Sequence, residues 1–249
     1  MICKLCHNEK PLIKKSHIIP DFMYHGLFNE KHFIAPVYLK EMKIGKMKPT
    51  GFYDSDILCA ECESKIIGKL ESYAKLVIFG GIGNPDKFQK IIYANTYEGN
   101  NLLYFENIEY TKFKLFLLSI LWRASISKQK IFNQVNLGEH EEIIRKMIIE
   151  NDSKTENDYS VGIMLLKENK ITPTKFVVDP VKIDGLETST YIFIVNGIVI
   201  DYNISGNAFN IIFDTIKIKE NNTMNILIFN ENESIGYVDS ILKKKLRYK

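Results

Sequence analysis

Four cysteines, the only ones in the chain, fall into two Cys-x-x-C pairs, Cys3/Cys6 and Cys59/Cys62. A tight turn of this spacing presents two thiolates on one side. Two such turns together supply the tetrahedral four-sulfur set that holds zinc in structural sites. Between the pairs lies Ser16-His17-Ile18-Ile19-Pro20. It encloses an imidazole, a group that changes charge near neutral pH, within the stretch that the cysteines would clamp.

The surrounding sequence must position these groups. With 249 residues, 45% of them hydrophobic, the chain can bury a sizeable core as one large domain or two small ones. A net charge of +3 and a pI near 8.4 permit a polyanionic partner without arguing for one. The first residues lack the apolar core of a secretion signal. The most apolar run, residues 113–122, is shorter than the roughly 20 residues that cross a bilayer and is interrupted by Lys114 and Ser119. The expectation is a cytoplasmic protein, away from membranes. In that reducing compartment paired Cys-x-x-C turns favour zinc over disulfides.

Residues 1–80 read as a cysteine-bounded module. Pro20 and Asp21 suit the start of a short helix over residues 21–28. Residues 32–47 alternate like strands. From Cys62 a helix is expected, with Ile66, Ile67, Leu70, Ala74, Val77 and Ile78 on one face and Gly80-Gly81 ending it. The Gly/Asn/Pro-rich stretch over residues 80–86 reads as a linker, so the second domain is placed at 87–249. There, residues 110–127 and 138–151 read as helices. Strands are expected over residues 161–166, 175–178, 191–195, 198–202 and 224–229. Asn196-Gly197 signals a type I′ hairpin turn. The fold class is α+β.

The order Cys-x-x-C, Ser-His-Ile-Ile-Pro, then Leu58-Cys59-Ala60-Glu61-Cys62-Glu63 resembles the HNH endonucleases of the ββα-metal fold. The runs at residues 116–125 and 138–145 resemble bacterial HNH-type proteins with a long C-terminal region, many of them associated with phage defence. The resemblance implies a metal-dependent endonuclease that hydrolyses DNA phosphodiester bonds. His17 would be the general base that activates water. Asp54 would orient that imidazole. Glu63 would bind a catalytic Mg²⁺ or Mn²⁺, for which a carboxylate oxygen is a good ligand. Zn²⁺ would be structural, on Cys3, Cys6, Cys59 and Cys62. The family usually has Asn where Asp54 stands and His or Asn where Glu63 stands. Where many members carry a metal-binding Asp before the base, this chain has Ser16.

Other residues carry weaker signals. His7, His32 and His140 lie in no motif, while His25 could face the same cleft as His17. Glu71 lies two helical turns beyond Glu63 and could meet an arginine or lysine. Arg123, inside a very apolar helix, suits a core ion pair better than nucleic-acid contact. Lys14, Lys15, Lys40, Lys43, Lys46, Lys48 and the basic tail at residues 243–249 could contact phosphates. The expected partner is DNA, with a regulatory protein and self-association as further partners. Three rivals stand beside this reading. One is a degenerate HNH module that kept its zinc and serves as a nucleic-acid-binding adaptor. The others are a nuclease acting on RNA or a modified base, and a C-terminal sensor or oligomerisation domain that uses the zinc module as scaffold.

Overall fold

The structure is a computed structural model that describes residues 1–39, 41–82, 92–97, 100–166, 176–184, 189–205, 211–229 and 236. Lys40, most of the expected linker, Lys175 and the basic tail lie outside the described residues.

Twelve strands and four α-helices are found among the described residues. Two strands, β1 (Ser16–His17) and β4 (Tyr53–Asp54), form an antiparallel ribbon of their own. The other ten join in one sheet. They are β2 (Pro36–Tyr38), β3 (Lys43–Ile44), β5 (Ile92–Tyr97), β6 (Asn100–Phe105), β7 (Ser160–Leu166), β8 (Val177–Val178), β9 (Val181–Asp184), β10 (Ser189–Val195), β11 (Ile198–Asn203) and β12 (Met224–Phe229). Their order is β3-β2-β8-β10-β11-β7-β12-β6-β5, with β9 sharing the outer edge of β10. Neighbours are antiparallel except for β2/β8 and β7/β12.

The central strands β7, β10 and β11 are largely apolar and buried because both sheet faces are covered. In β10, Tyr191, Phe193 and Val195 enter the main core, while Ile192 and Ile194 enter a second core on the opposite face. The period of two in strand side chains sorts them this way. The turn into β11 has Asn196 at φ 54° and Gly197 at φ 75°, the two positive angles of the expected type I′ hairpin.

Helix α2 (Tyr110–Ser125) lies on the main-core face and is buried almost all round, including Lys114, Ser119 and Arg123. The Tyr202 hydroxyl, rising from β11, donates to the Leu117 carbonyl of α2 at 2.9 Å. Helix α3 (His140–Glu150) packs beside α2 through Ile144, Met147 and Ile148. It ends where Asn151 takes a left-handed conformation. Helix α4 (Ile211–Ile216) contributes Ile216 to the second core.

The helix expected after Cys62 runs over residues 62–82. Its middle, α1 (Gly68–Lys75), is α-helical, and wider π-type turns, Cys62–Ile67 and Leu76–Ile82, flank it. Ile67, Leu70, Ala74, Val77 and Ile78 face the core as their spacing predicts, and Gly80-Gly81 does not stop the helix. The helix expected over residues 21–28 is a single 3₁₀ turn, Asp21–Tyr24.

The hydrophobic core is continuous across residue 80. One hydrophobic cluster holds Cys3, Ile18, Phe52 and Cys62 together with Phe116, Trp122, Phe193 and Ile226. Strand β2 extends the sheet of the second half by pairing with β8, and the Asp179 carboxylate accepts the Leu39 N–H at 2.7 Å.

Candidate functional site

The two Cys-x-x-C turns meet. The Sγ atoms of Cys3, Cys6, Cys59 and Cys62 all lie within 4.8 Å of one another, the only such group of potential metal ligands among the described residues. A tetrahedral site with Zn–S bonds of about 2.3 Å needs sulfurs roughly 4 Å apart, so the set suits a structural ion such as zinc. The Cys59 N–H donates to the Cys3 sulfur at 3.3 Å, and His7 closes the first turn with its N–H on the Cys3 carbonyl. Burial, then contact with the three other sulfurs, pushes the Cys62 thiol well above its ordinary range. A bound cation would hold the four sulfurs as thiolates and offset their mutual repulsion.

His17 ends β1. Its main-chain partner across the ribbon is Tyr53, whose ring meets the imidazole edge-on at 6.1 Å. Residues directly opposite in an antiparallel pair point to the same face, and the next pair points to the other. His17 and Tyr53 therefore share one face, while Ser16 and Asp54 share the opposite one. The half-buried imidazole has its pKa lowered, chiefly by burial. Asp21 and Glu71 pull it up, and Arg123 and Lys15 push it down.

The imidazole borders an open cleft of about 880 Å³ between the 3₁₀ turn and α1, lined also by Asp21, His25, His32, Glu71 and Lys75. His25 thus reaches the cleft of His17, as its position suggested. His32 does so as well, although it lies in no motif. The sequence signal for it was only its proximity to Phe28, on which its ring stacks at 4.2 Å.

The carboxylates divide differently from expectation. Asp54 does not sit on the His17 face of the ribbon. Its Oδ2 accepts the Ser127 hydroxyl at 2.6 Å and the Lys128 N–H at 2.8 Å, and its Oδ1 accepts the Gln129 amide at 3.0 Å. Ribbon alternation explains the departure, because Asp54 is one residue out of phase with the residue opposite His17. It anchors the loop that leaves α2. Glu63 accepts the Ser16 hydroxyl at 2.8 Å, and its carboxyl pKa is raised, chiefly by burial. Ser16 thus binds the carboxylate through its hydroxyl. Glu63 is not among the described residues lining the cleft, whereas Glu71 is.

Further side chains from the second half hold this module in place. Arg123, from α2, donates to the His17 carbonyl at 2.6 Å and to Glu71 at 2.8 Å. Arg145, from α3, donates to the Leu5 carbonyl inside the first cysteine turn and pairs with Glu142. The Asn196 amide, at the β10–β11 hairpin, donates to the His25 carbonyl at 2.9 Å. Arg123 was expected to find a carboxylate in the core, and that carboxylate is Glu71.

No family model, curated protein or solved structure matches the chain. The resemblance to HNH nucleases therefore stands on its residues. No helix among the described residues is long and apolar enough to cross a membrane.

Proposed function

We propose that the protein is a metal-dependent endonuclease of the HNH type that hydrolyses phosphodiester bonds in DNA, with phage defence as its cellular role. The observation that carries the proposal is the position of His17. It ends a strand of a two-stranded ribbon that lies between the two cysteine pairs in sequence, and it borders a cleft walled by the helix that follows the fourth cysteine.

A neutral imidazole is the competent form of a general base, and burial favours that form at neutral pH. The Arg123 contact to the His17 carbonyl fixes the strand end from which the imidazole projects. Mg²⁺ is commonly held by one or two carboxylates together with substrate phosphate and water. Glu71 lines the cleft and suits that role, whereas Glu63, the ligand that the resemblance implies, bonds Ser16 and is not among the described residues of the lining. When bound, the ion would neutralise charge on the phosphate and its leaving oxygen. Lys14 and Lys15 are both exposed beside β1, and on this reading they contact flanking phosphates.

A second reading is favoured by Asp54, whose carboxylate is committed to the 127–129 loop. On this reading the module kept its zinc and became a nucleic-acid-binding adaptor. Cleavage of supercoiled plasmid with Mg²⁺ or Mn²⁺, beside His17→Ala, separates the two. Metal-dependent nicking that disappears in His17→Ala supports the nuclease. Wild type as inert as the mutant, with zinc fully loaded, favours the adaptor.

A further inference from the structure

We infer that the cleft beside His17 receives an unpaired nucleobase, so that the nuclease proposed above, on whose reading of His17 this stands, acts on single-stranded or locally opened nucleic acid.

Among the described residues, the lining is aromatic where an unpaired base needs it and poor in lysine and arginine where an intact duplex would need them. Phe28 and His32 are parallel rings, 4.2 Å apart and 7° from coplanar. The turn between them is braced by the Asn29 side chain, whose oxygen accepts the N–H groups of Lys31 and Phe33. The pair is thus a preformed stack to which another flat ring can add. Across the cleft, Phe79 is 36% exposed on the last turns of the helix. Its ring meets Phe22 edge-on at 6.0 Å and His25 edge-on at 5.9 Å. Phe22 is itself stacked on Phe116 in the core at 5.9 Å, which fixes that wall.

Tracking the backbone of a duplex calls for a run of lysines and arginines on an open surface. Among the described residues the cleft lining supplies one lysine, Lys75, against the carboxylates Asp21 and Glu71. That suits one phosphate beside a buried base better than a series of phosphates. The volume of about 880 Å³ falls in the range of sites that enclose a small molecule. Base stacking on aromatic rings tolerates any sequence, because every base has a π-face. Since His17 lines the same cleft, a base held there sets its own phosphate near the imidazole.

The test uses full-length, zinc-loaded His17→Ala protein, so that binding is read without cleavage. Fluorescence anisotropy compares labelled single-stranded DNA, single-stranded RNA of the same sequence, and the DNA duplex. The expected result is preferential binding of single strands. Phe79→Ala should weaken that binding by roughly five- to a hundredfold, the usual effect of losing one stacking ring, and leave duplex binding unchanged. Phe79→Trp, which keeps a π-face, should retain single-strand binding, and Phe79→Leu, which keeps apolar bulk only, should not. The DNA and RNA arms identify which strand the cleft takes. Equal affinity for duplex and single strand, or indifference to Phe79→Ala, would overturn the inference. The two readings fail separately. Duplex cleavage by the wild type that is untouched by Phe79→Ala removes the base site and leaves the nuclease. Single-strand binding that depends on Phe79, with no cleavage of single strand or duplex by the wild type, removes the nuclease and leaves the base site.

Discussion

Arg123 and His17, 106 residues apart in sequence, are joined by a 2.6 Å hydrogen bond from the guanidinium to the His17 carbonyl. The guanidinium is wholly buried and also donates to Glu71 and to the Ser119 carbonyl and hydroxyl. A buried arginine is tolerable only when its donors are met in this way. The contact is thus both a structural requirement of α2 and the support of the strand end that carries the imidazole.

Arg123→Met should leave the His17 carbonyl and Glu71 without their donor. Breaking one side of a buried ion pair typically costs about 3–5 kcal/mol. Urea denaturation should show a loss of that order, with zinc content unchanged because the cysteines lie elsewhere. Plasmid cleavage should fall with it. Arg123→Lys keeps the charge but cannot serve all three partners, and should recover only part of both losses. A variant as stable as wild type would show that the network is not the support described.

Asp54 offers a cleaner separation of roles. Three donors from the 127–129 loop meet its carboxylate, and bonds to a charged acceptor are worth about 1.5–3 kcal/mol each. Asp54→Ala should therefore lower stability by several kcal/mol. The midpoint of the pH–rate profile should not move, because the carboxylate faces away from the imidazole. A shifted midpoint in Asp54→Ala would restore the orienting role.

The pH dependence of the proposed hydrolysis should carry the sign of His17. A general base works when unprotonated, and burial lowers this imidazole below its ordinary value of 6.5. The acidic limb of kcat/KM should therefore have its midpoint below pH 6.5, with activity rising through it as pH increases. Asp21→Asn removes the larger of the two carboxylate influences that raise the pKa and should move the midpoint lower. An unshifted limb at or above 6.5 in both proteins would count against His17 as the base.

Much of the fold could be read from local pattern, where periodicity and turn chemistry act over a few residues. Strand β12 and helices α2 and α3 fall within about two residues of their expected bounds, and the Asn196-Gly197 turn has its expected angles. The cysteine pairs meet because each Cys-x-x-C turn is a local unit and the ribbon brings the two together. The pairing of β2 with β8 joins residues about 140 apart, and no local signal encodes it. The same limit applies to the site. Spacing from Cys59 pointed to Asp54, but the facing of a side chain depends on ribbon register, and a single residue reverses it. Glu71 was suggested by helical spacing from Glu63, while its partner Arg123 could be named only once α2 was docked.

Zinc should be a condition of the fold in the first half of the chain. One metal per chain is expected by mass spectrometry, and Cys59→Ser should lose it. Because Leu5, Cys3 and Cys62 belong to buried structure, metal loss should lower the thermal midpoint and weaken protection of β1 and β4 from hydrogen exchange. The strands β10 and β11, deep in the sheet, should keep theirs longer. Uniform loss across both regions would mean that the whole chain unfolds as one unit.

Lys114 should leave a second pH signature, in stability instead of rate. It is buried in α2, and its ammonium donates to the Tyr110 hydroxyl and to the carbonyls of Thr155 and Asp158. Burial lowers its pKa from 10.5 to about 8. Between those values the unfolded chain holds a proton that the folded chain has released, so stability should rise with pH across that window. At about 1.4 kcal/mol per pKa unit the ceiling is roughly 3 kcal/mol. The three acceptors favour the ammonium and should keep the observed gain below that ceiling. Tyr110 works in the opposite sense. Burial raises its phenol above 10, so its contribution to stability is lost as pH climbs past 10. The rise should therefore be visible from about pH 8 to 10 in urea titrations. Lys114→Met, although less stable at every pH for want of three hydrogen bonds, should show no rise over that interval; a wild-type profile that is flat or falling there would show that the ammonium keeps its proton in the core.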